Sequence, residues 1–121
     1  MSGSTMRYSR HVPEPTNVSD LTITVASSGV VVSIVVAGEI DITNAAQLSG
    51  VGRSALESNP GGLVFDLTAV TFMNSSGLGH LVRVLHAAQP VPVQVWATHP
   101  SVLRLFEITG LTDALDVQYK P

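Results

Sequence analysis

The sequence predicts an α/β domain built on a mixed, largely parallel sheet. Three observations lead there. β-Branched runs alternate with stretches of helical period, in the order β-β-α-β-α-β-α with a short terminal strand. The first two strands are separated only by Ser27-Ser28-Gly29, so they pair as a hairpin. Each later strand is reached through a helix, and a crossover of that kind makes neighbouring strands parallel. The 121 residues fit one domain. Residues 1–17 mix polar residues with Pro and Gly and show no period, so they read as a flexible N-terminal arm, with the domain spanning 18–121.

The elements follow in order. Leu21-Thr22-Ile23-Thr24-Val25 alternates apolar and polar residues, the pattern of a half-buried strand, and Val30 to Val36 is apolar on both faces, which places it inside the sheet. After Gly38-Glu39-Ile40-Asp41, Asn44 with Gln47 forms a capping box, with Thr43 as rival cap. Ala45, Leu48, Val51 and Ala55 then make one apolar stripe, ended by Asn59-Pro60-Gly61-Gly62. Leu63 to Leu67 is the next strand. Behind Ser75 and Ser76 a helix buries Leu78, Leu81, Val82 and Leu85, with His80, Arg83 and His86 off that stripe. Pro90 and Pro92 close it, Val93 to Ala97 is a strand, and Pro100 opens a last helix with Leu103 and Phe106 inward and Gly110 as its stop. Asp116 to Tyr119 supplies the terminal strand.

Composition narrows the function. Charged residues are only 12% of the chain, about half the usual ~25%, which leaves a neutral face for a protein partner. A net charge of −3 with scattered Lys and Arg argues against nucleic acid. No apolar run approaches the ~20 residues of a membrane span, and the N-terminus lacks the apolar core of a signal peptide. The absence of cysteine removes disulfides and thiolate metal sites and fits a cytoplasmic protein. His80 and His86, six apart, sit ~240° apart around a helix, which does not suit a metal. There is no phosphate-binding Gly-rich loop and no nucleophile elbow.

What remains is the segment Phe72-Met73-Asn74-Ser75-Ser76-Gly77-Leu78-Gly79. Hydroxyls at a helix start lie beside unpaired backbone N–H groups and the positive end of the helix dipole, where a phosphate is well accommodated. The same position suits a simple N-cap serine. Asp41 and Asp66 come near Ser76 if their strands end on one sheet edge, whereas Asp41 alone is explained by turn chemistry.

That segment resembles the signature of bacterial anti-sigma factor antagonists of the STAS domain family. Gly38-Glu39-Ile40-Asp41, with Thr43 and Ala45 following, is similar to the family's approach to its first helix. Pro100 to Leu111, with Arg104-Leu105-Phe106 and Gly110-Leu111, resembles its last helix. The resemblance covers about residues 20–119. It implies a small mixed sheet of four or five strands with helices mainly on one face. It also implies a non-enzymatic role without cofactor, in which the protein binds an anti-sigma factor that is a serine kinase and so releases a sigma factor. Ser76 would be the phosphoacceptor, Ser75 its runner-up and helix cap, and a serine phosphatase would restore it. Asp41, Asn74, Ser75, Ser76, Gly77 and Gly79 would form the docking edge, the glycines letting a partner's backbone approach. Asn74 departs from the family's usual Asp, which removes a charge next to the serines. The alternatives are an accessory STAS subunit of a transporter or stress-signalling complex, and a small hydrolase.

Overall fold

The computed structural model describes residues 21–121 and, for residues 5–10, the course of the backbone. Six strands and three helices alternate as β1 (Thr5–Arg10), β2 (Leu21–Ser28), β3 (Val31–Ile40), α1 (Ala46–Leu56), β4 (Gly62–Met73), α2 (Ser75–Ala88), β5 (Val93–Ala97), α3 (Pro100–Ile108) and β6 (Val117–Tyr119). They form one sheet in the order β1-β2-β3-β4-β5-β6. The pairs β1/β2 and β2/β3 are antiparallel, and the three later pairs are parallel. Thr5–Arg10, within the stretch read as an arm, is therefore an outer strand beside β2, one strand more than the expected four or five.

Strand order explains where the helices lie. Successive parallel strands added in one direction, each through a right-handed crossover, put every connecting helix on the same face. Burial follows that geometry. Val32, Ile34, Val36, Leu63, Phe65, Leu67, Val93, Val95 and Ala97 are buried toward the helices, while Ser33, Val35, Asp66, Thr68, Gln94 and Trp96 on the opposite face are half-exposed. On that open face Gln94 accepts from the Trp96 indole and donates to Asp116, and Gln118 donates to the same carboxylate. These two amide donors hold the Asp116 carboxyl below its ordinary range.

β4 is longer than its apolar core, Leu63–Leu67, suggests. Its register against β3 slips twice, from Val35↔Asp66 to Ala37↔Ala69 and from Gly38↔Val70 to Glu39↔Phe72, so β4 has two extra residues. The slips let Leu67, Val70 and Met73 all face the core while Thr71 and Phe72 turn outward.

The helices also settle differently from the expected stripes. α2 buries Gly77, Leu78, Leu81, Val84 and Ala88; Val82 and Leu85 are only half-buried. Gly52 of α1 explains the rotation, because a Cβ there would lie 2.8 Å from Val84 and 3.2 Å from Phe65. The missing side chain is the slot into which Val84 fits. In α3, Val102 and Phe106 are buried and Leu103 is half-buried; His99 caps it by accepting the Ser101 N–H at 3.2 Å. Among the described residues no helix is long and apolar enough to cross a membrane.

Candidate functional site

β3 and β4 end side by side. Ile40 pairs with Met73, and the Asn74 N–H donates to the Ile40 carbonyl at 3.1 Å. Asp41 and Asn74 are thus the first residues past the sheet on neighbouring strands. α1 and α2 both start from this edge and run in the same direction, as shown by two contacts in step: Ser49 with His80, and Gly52 with Val84. Two helix N-termini, each the positive end of its dipole, open beside one another.

The turn from β3 into α1 is tied by its own side chains. Asp41 Oδ1 accepts the Thr43 N–H at 2.9 Å and the Thr43 hydroxyl as well. Asn44, only 2% exposed, accepts the Asp41 N–H and donates to the Glu39 carbonyl, both at 2.9 Å. The expected Asn44–Gln47 capping box is therefore absent. Asn44 faces back into the turn, α1 starts after Ala45 without a side-chain cap, and Gln47 Nε2 is buried with no partner among the described residues. The cross-tied turn pushes Ile42 outward to 77% exposure.

At α2 the cap is Asn74, not Ser75. Asn74 is extended (φ −97°, ψ −177°), and its Oδ1 accepts the Ser76 N–H at 3.0 Å. Asn serves as well as Asp in this role, so the departure from the family's usual residue keeps the cap and removes only the charge. Asn74→Ala is expected to cost about 1 kcal/mol of stability. Asn74→Asp should hold or raise stability, by up to about 1 kcal/mol, through favourable charge at the helix start. Denaturant unfolding of the three proteins measures both changes, and an unchanged Asn74→Ala midpoint would contradict the cap.

Ser75 is exposed as the first helical residue, and Ser76 is half-exposed on the same turn. The Ser76 hydroxyl has no hydrogen-bond partner among the described residues. Asp41, Asn74, Ser75 and Ser76 are thus brought together at one edge. Gly77 is not part of that surface: it is buried, and a Cβ there would meet Ile40 and Met73 at 2.7 Å. Its role is to let α2 close over the ends of β3 and β4. Gly79 is exposed, with nothing within 4 Å of where a side chain would begin. Asp66 does not reach the site either. It lies mid-strand opposite Val35 and Trp96 and holds the Thr68 N–H and hydroxyl.

Two exposed apolar side chains near these strand ends were missed by sequence reasoning: Ile42 in the turn after β3, and Phe72, at 45% exposure, on the sheet face away from the helices. Their only signal in the sequence is a large apolar residue at an element's end, off the core pattern. Ser49 Oγ and His80 Nδ1 lie 2.9 Å apart, joining α1 to α2 one turn below Ser76. The edge combines exposed apolar anchors, a carboxylate and an available hydroxyl, which suits contact with a protein surface.

Known proteins are similar in sequence and fold. The STAS domain model matches residues 22–120. An anti-sigma-B factor antagonist of Listeria monocytogenes is 34% identical over 93 residues, covering 72% of this chain and 78% of the relative. The anti-sigma-F factor antagonist RsfB of Mycobacterium tuberculosis is 41% identical over 58 residues, 48% of either chain. Among solved structures, an anti-sigma factor antagonist from Mycobacterium paratuberculosis is similar with a TM-score of 0.77 at 29% identity, covering 84% of this chain and 86% of that one. With the family's model matched from the first inner strand to the last, this chain belongs to the STAS domain family.

Proposed function

We propose that this chain is an anti-sigma factor antagonist, that the edge formed by Asp41, Ile42, Asn74 and Ser76 binds an anti-sigma factor of the serine-kinase type in the cytoplasm, and that phosphorylation of Ser76 ends the binding. The names of its relatives support the first part. One observation supports the rest. Ser76 stands half-exposed with an uncommitted hydroxyl at a capped helix start, on the edge where β3 leads into Asp41 and the exposed Ile42. A kinase can reach such a hydroxyl without unfolding the domain, and a partner docked on the edge where β3 and β4 end would cover it. A serine phosphatase would reverse the modification.

In physical terms the switch acts on the interface. A phosphoserine brings about −1.5 to −2 charge. In the free protein that charge stays in water at the positive end of α2. Inside a contact lacking cations it must be stripped of water, at a cost of several kcal/mol. Ser76→Ala should bind the anti-sigma factor as tightly as the parent and take up no phosphate from it in the presence of ATP. Calorimetry and mass spectrometry read the two results. Modification of Ser75, or of neither serine, would overturn the site assignment. Unmodified serines with intact binding would favour an accessory subunit governed by other means.

A further inference from the structure

The Ser49–His80 pair is unexplained by packing. α1 and α2 are already fitted together by Val84 in the space over Gly52, and His80 lies outside the buried stripe of α2. Yet this is the one hydrogen bond between side chains of α1 and α2 among the described residues, at 2.9 Å. It fixes the imidazole through Nδ1 and leaves Nε2 for something else. Ser76 lies four residues before His80 on α2, so the two share a helix face. Helical side chains lean toward the N-terminus, so the ring of His80 lies over the turn that starts at Ser76.

We propose that His80, oriented by Ser49, is the group that receives the phosphate carried by Ser76. The inference rests on the reading of Ser76 as the phosphoacceptor. It adds a positioning pair that stabilises the modified state inside this chain. Phosphate oxygens accept hydrogen bonds, and the imidazole Nε2–H donates one that is charge-assisted. Ser49's one hydroxyl proton has two outlets. With a neutral ring protonated on Nε2, Ser49 donates to Nδ1 and Nε2–H faces the phosphate. With a doubly protonated ring, Nδ1–H donates to Ser49 Oγ, whose own proton goes to the Ala46 carbonyl, 3.1 Å away, and Nε2 is again a donor. The neutral tautomer protonated on Nδ1 leaves Nε2 an acceptor, and the phosphate, which needs a donor, selects against it. The phosphate is then held beside the ring on the half-exposed first turn of α2, still in contact with water.

Other charged or titratable groups on the surrounding elements are Arg53 on α1 and Glu57 just past it, Arg83 and His86 on α2, Glu39 on β3, Asp41 just beyond it, and Asp66 on β4. All of them stay in place in the variants below, so differences between proteins isolate His80. The test uses the full chain with phosphoserine installed at position 76 during translation, so it does not depend on which serine a kinase prefers. Phosphorus NMR follows the second ionisation of the phosphate, ordinarily about 6. A nearby donor favours the dianion and lowers the midpoint; His80→Ala should raise it by roughly a few tenths of a pH unit, and Ser49→Ala by less in the same direction. The His80 Nε2 nitrogen resonance of the otherwise unaltered chain should move when Ser76 is replaced by phosphoserine. Equal midpoints in the parent and His80→Ala would overturn the proposal. If His80→Ala does not fold, the nitrogen resonance decides, and an unmoved signal refutes the contact. Kinase labelling of the ordinary chain separately reports whether Ser76 is the natural acceptor.

Discussion

Ser76→Glu is expected to bind the anti-sigma factor at least a hundredfold more weakly than the parent while its melting temperature stays nearly constant. Both halves follow from where the residue sits. Ser76 is half-exposed on the first turn of α2, and its backbone N–H, not its hydroxyl, carries the cap bond from Asn74. Replacing the side chain therefore breaks no hydrogen bond among the described residues, and a carboxylate near a helix start is favourable by about 0.3–1 kcal/mol. The fold has no reason to loosen. In the complex the same carboxylate must lose water against the partner, and a penalty of only about 3 kcal/mol is more than a hundredfold in affinity. Calorimetry and thermal melting on the same samples separate the two. A melting temperature that collapses along with the affinity would make Ser76 a structural residue.

Gly77→Ala is expected to show the opposite: a large loss of stability, with binding reduced only as far as the folded population falls. An added Cβ meets Ile40 Cγ2 and Met73 Cγ at 2.7 Å and Met73 Sδ at 2.9 Å, closer than carbon atoms pack. Ile40 and Met73 are the buried last residues of β3 and β4, so relief requires their packed side chains or α2 itself to shift. Overpacking of this kind costs about 1–3 kcal/mol. In a domain of this size each kcal/mol lowers the melting temperature by about 3–6 °C. Gly79→Ala is the internal control. Nothing lies near that position, and alanine gains about 1 kcal/mol of helix propensity over glycine. Two glycines of one Gly-Leu-Gly motif should thus respond with opposite signs; equal responses would contradict the packing described for Gly77.

The contrast marks what a sequence can and cannot disclose. The hairpin at Gly29, the helix behind Ser76 and the parallel crossovers are local matters of period and turn chemistry, and they stand in the fold as read. So does the ending of β3 and β4 side by side, which sets Asp41 and Asn74 just past one sheet edge. What was hidden depends on neighbours distant in sequence. Gly77 reads like an open motif glycine until Ile40 and Met73 arrive from two other strands. The inward turn of Val84 follows from Gly52, and the run of β4 to Met73 from slips against β3. Asn44 matches a capping box, yet its amide finds better partners backward, in Glu39 and Asp41. Ile42 and Phe72 could not be recognised as surface anchors before the tied turn and the bulged strand had turned them outward. The pairing of Thr5–Arg10 with β2 gives an edge strand, the kind of element that needs little apolar alternation to form.

The central claim is that charge on Ser76 governs attachment of the partner. The most direct measurement is the affinity of the anti-sigma factor for two forms of the chain differing only in phosphoserine at position 76, taken by calorimetry at matched salt. The account predicts tight binding by the unmodified form and a loss of at least a hundredfold in the phosphorylated one. Equal affinity for the two forms would contradict it.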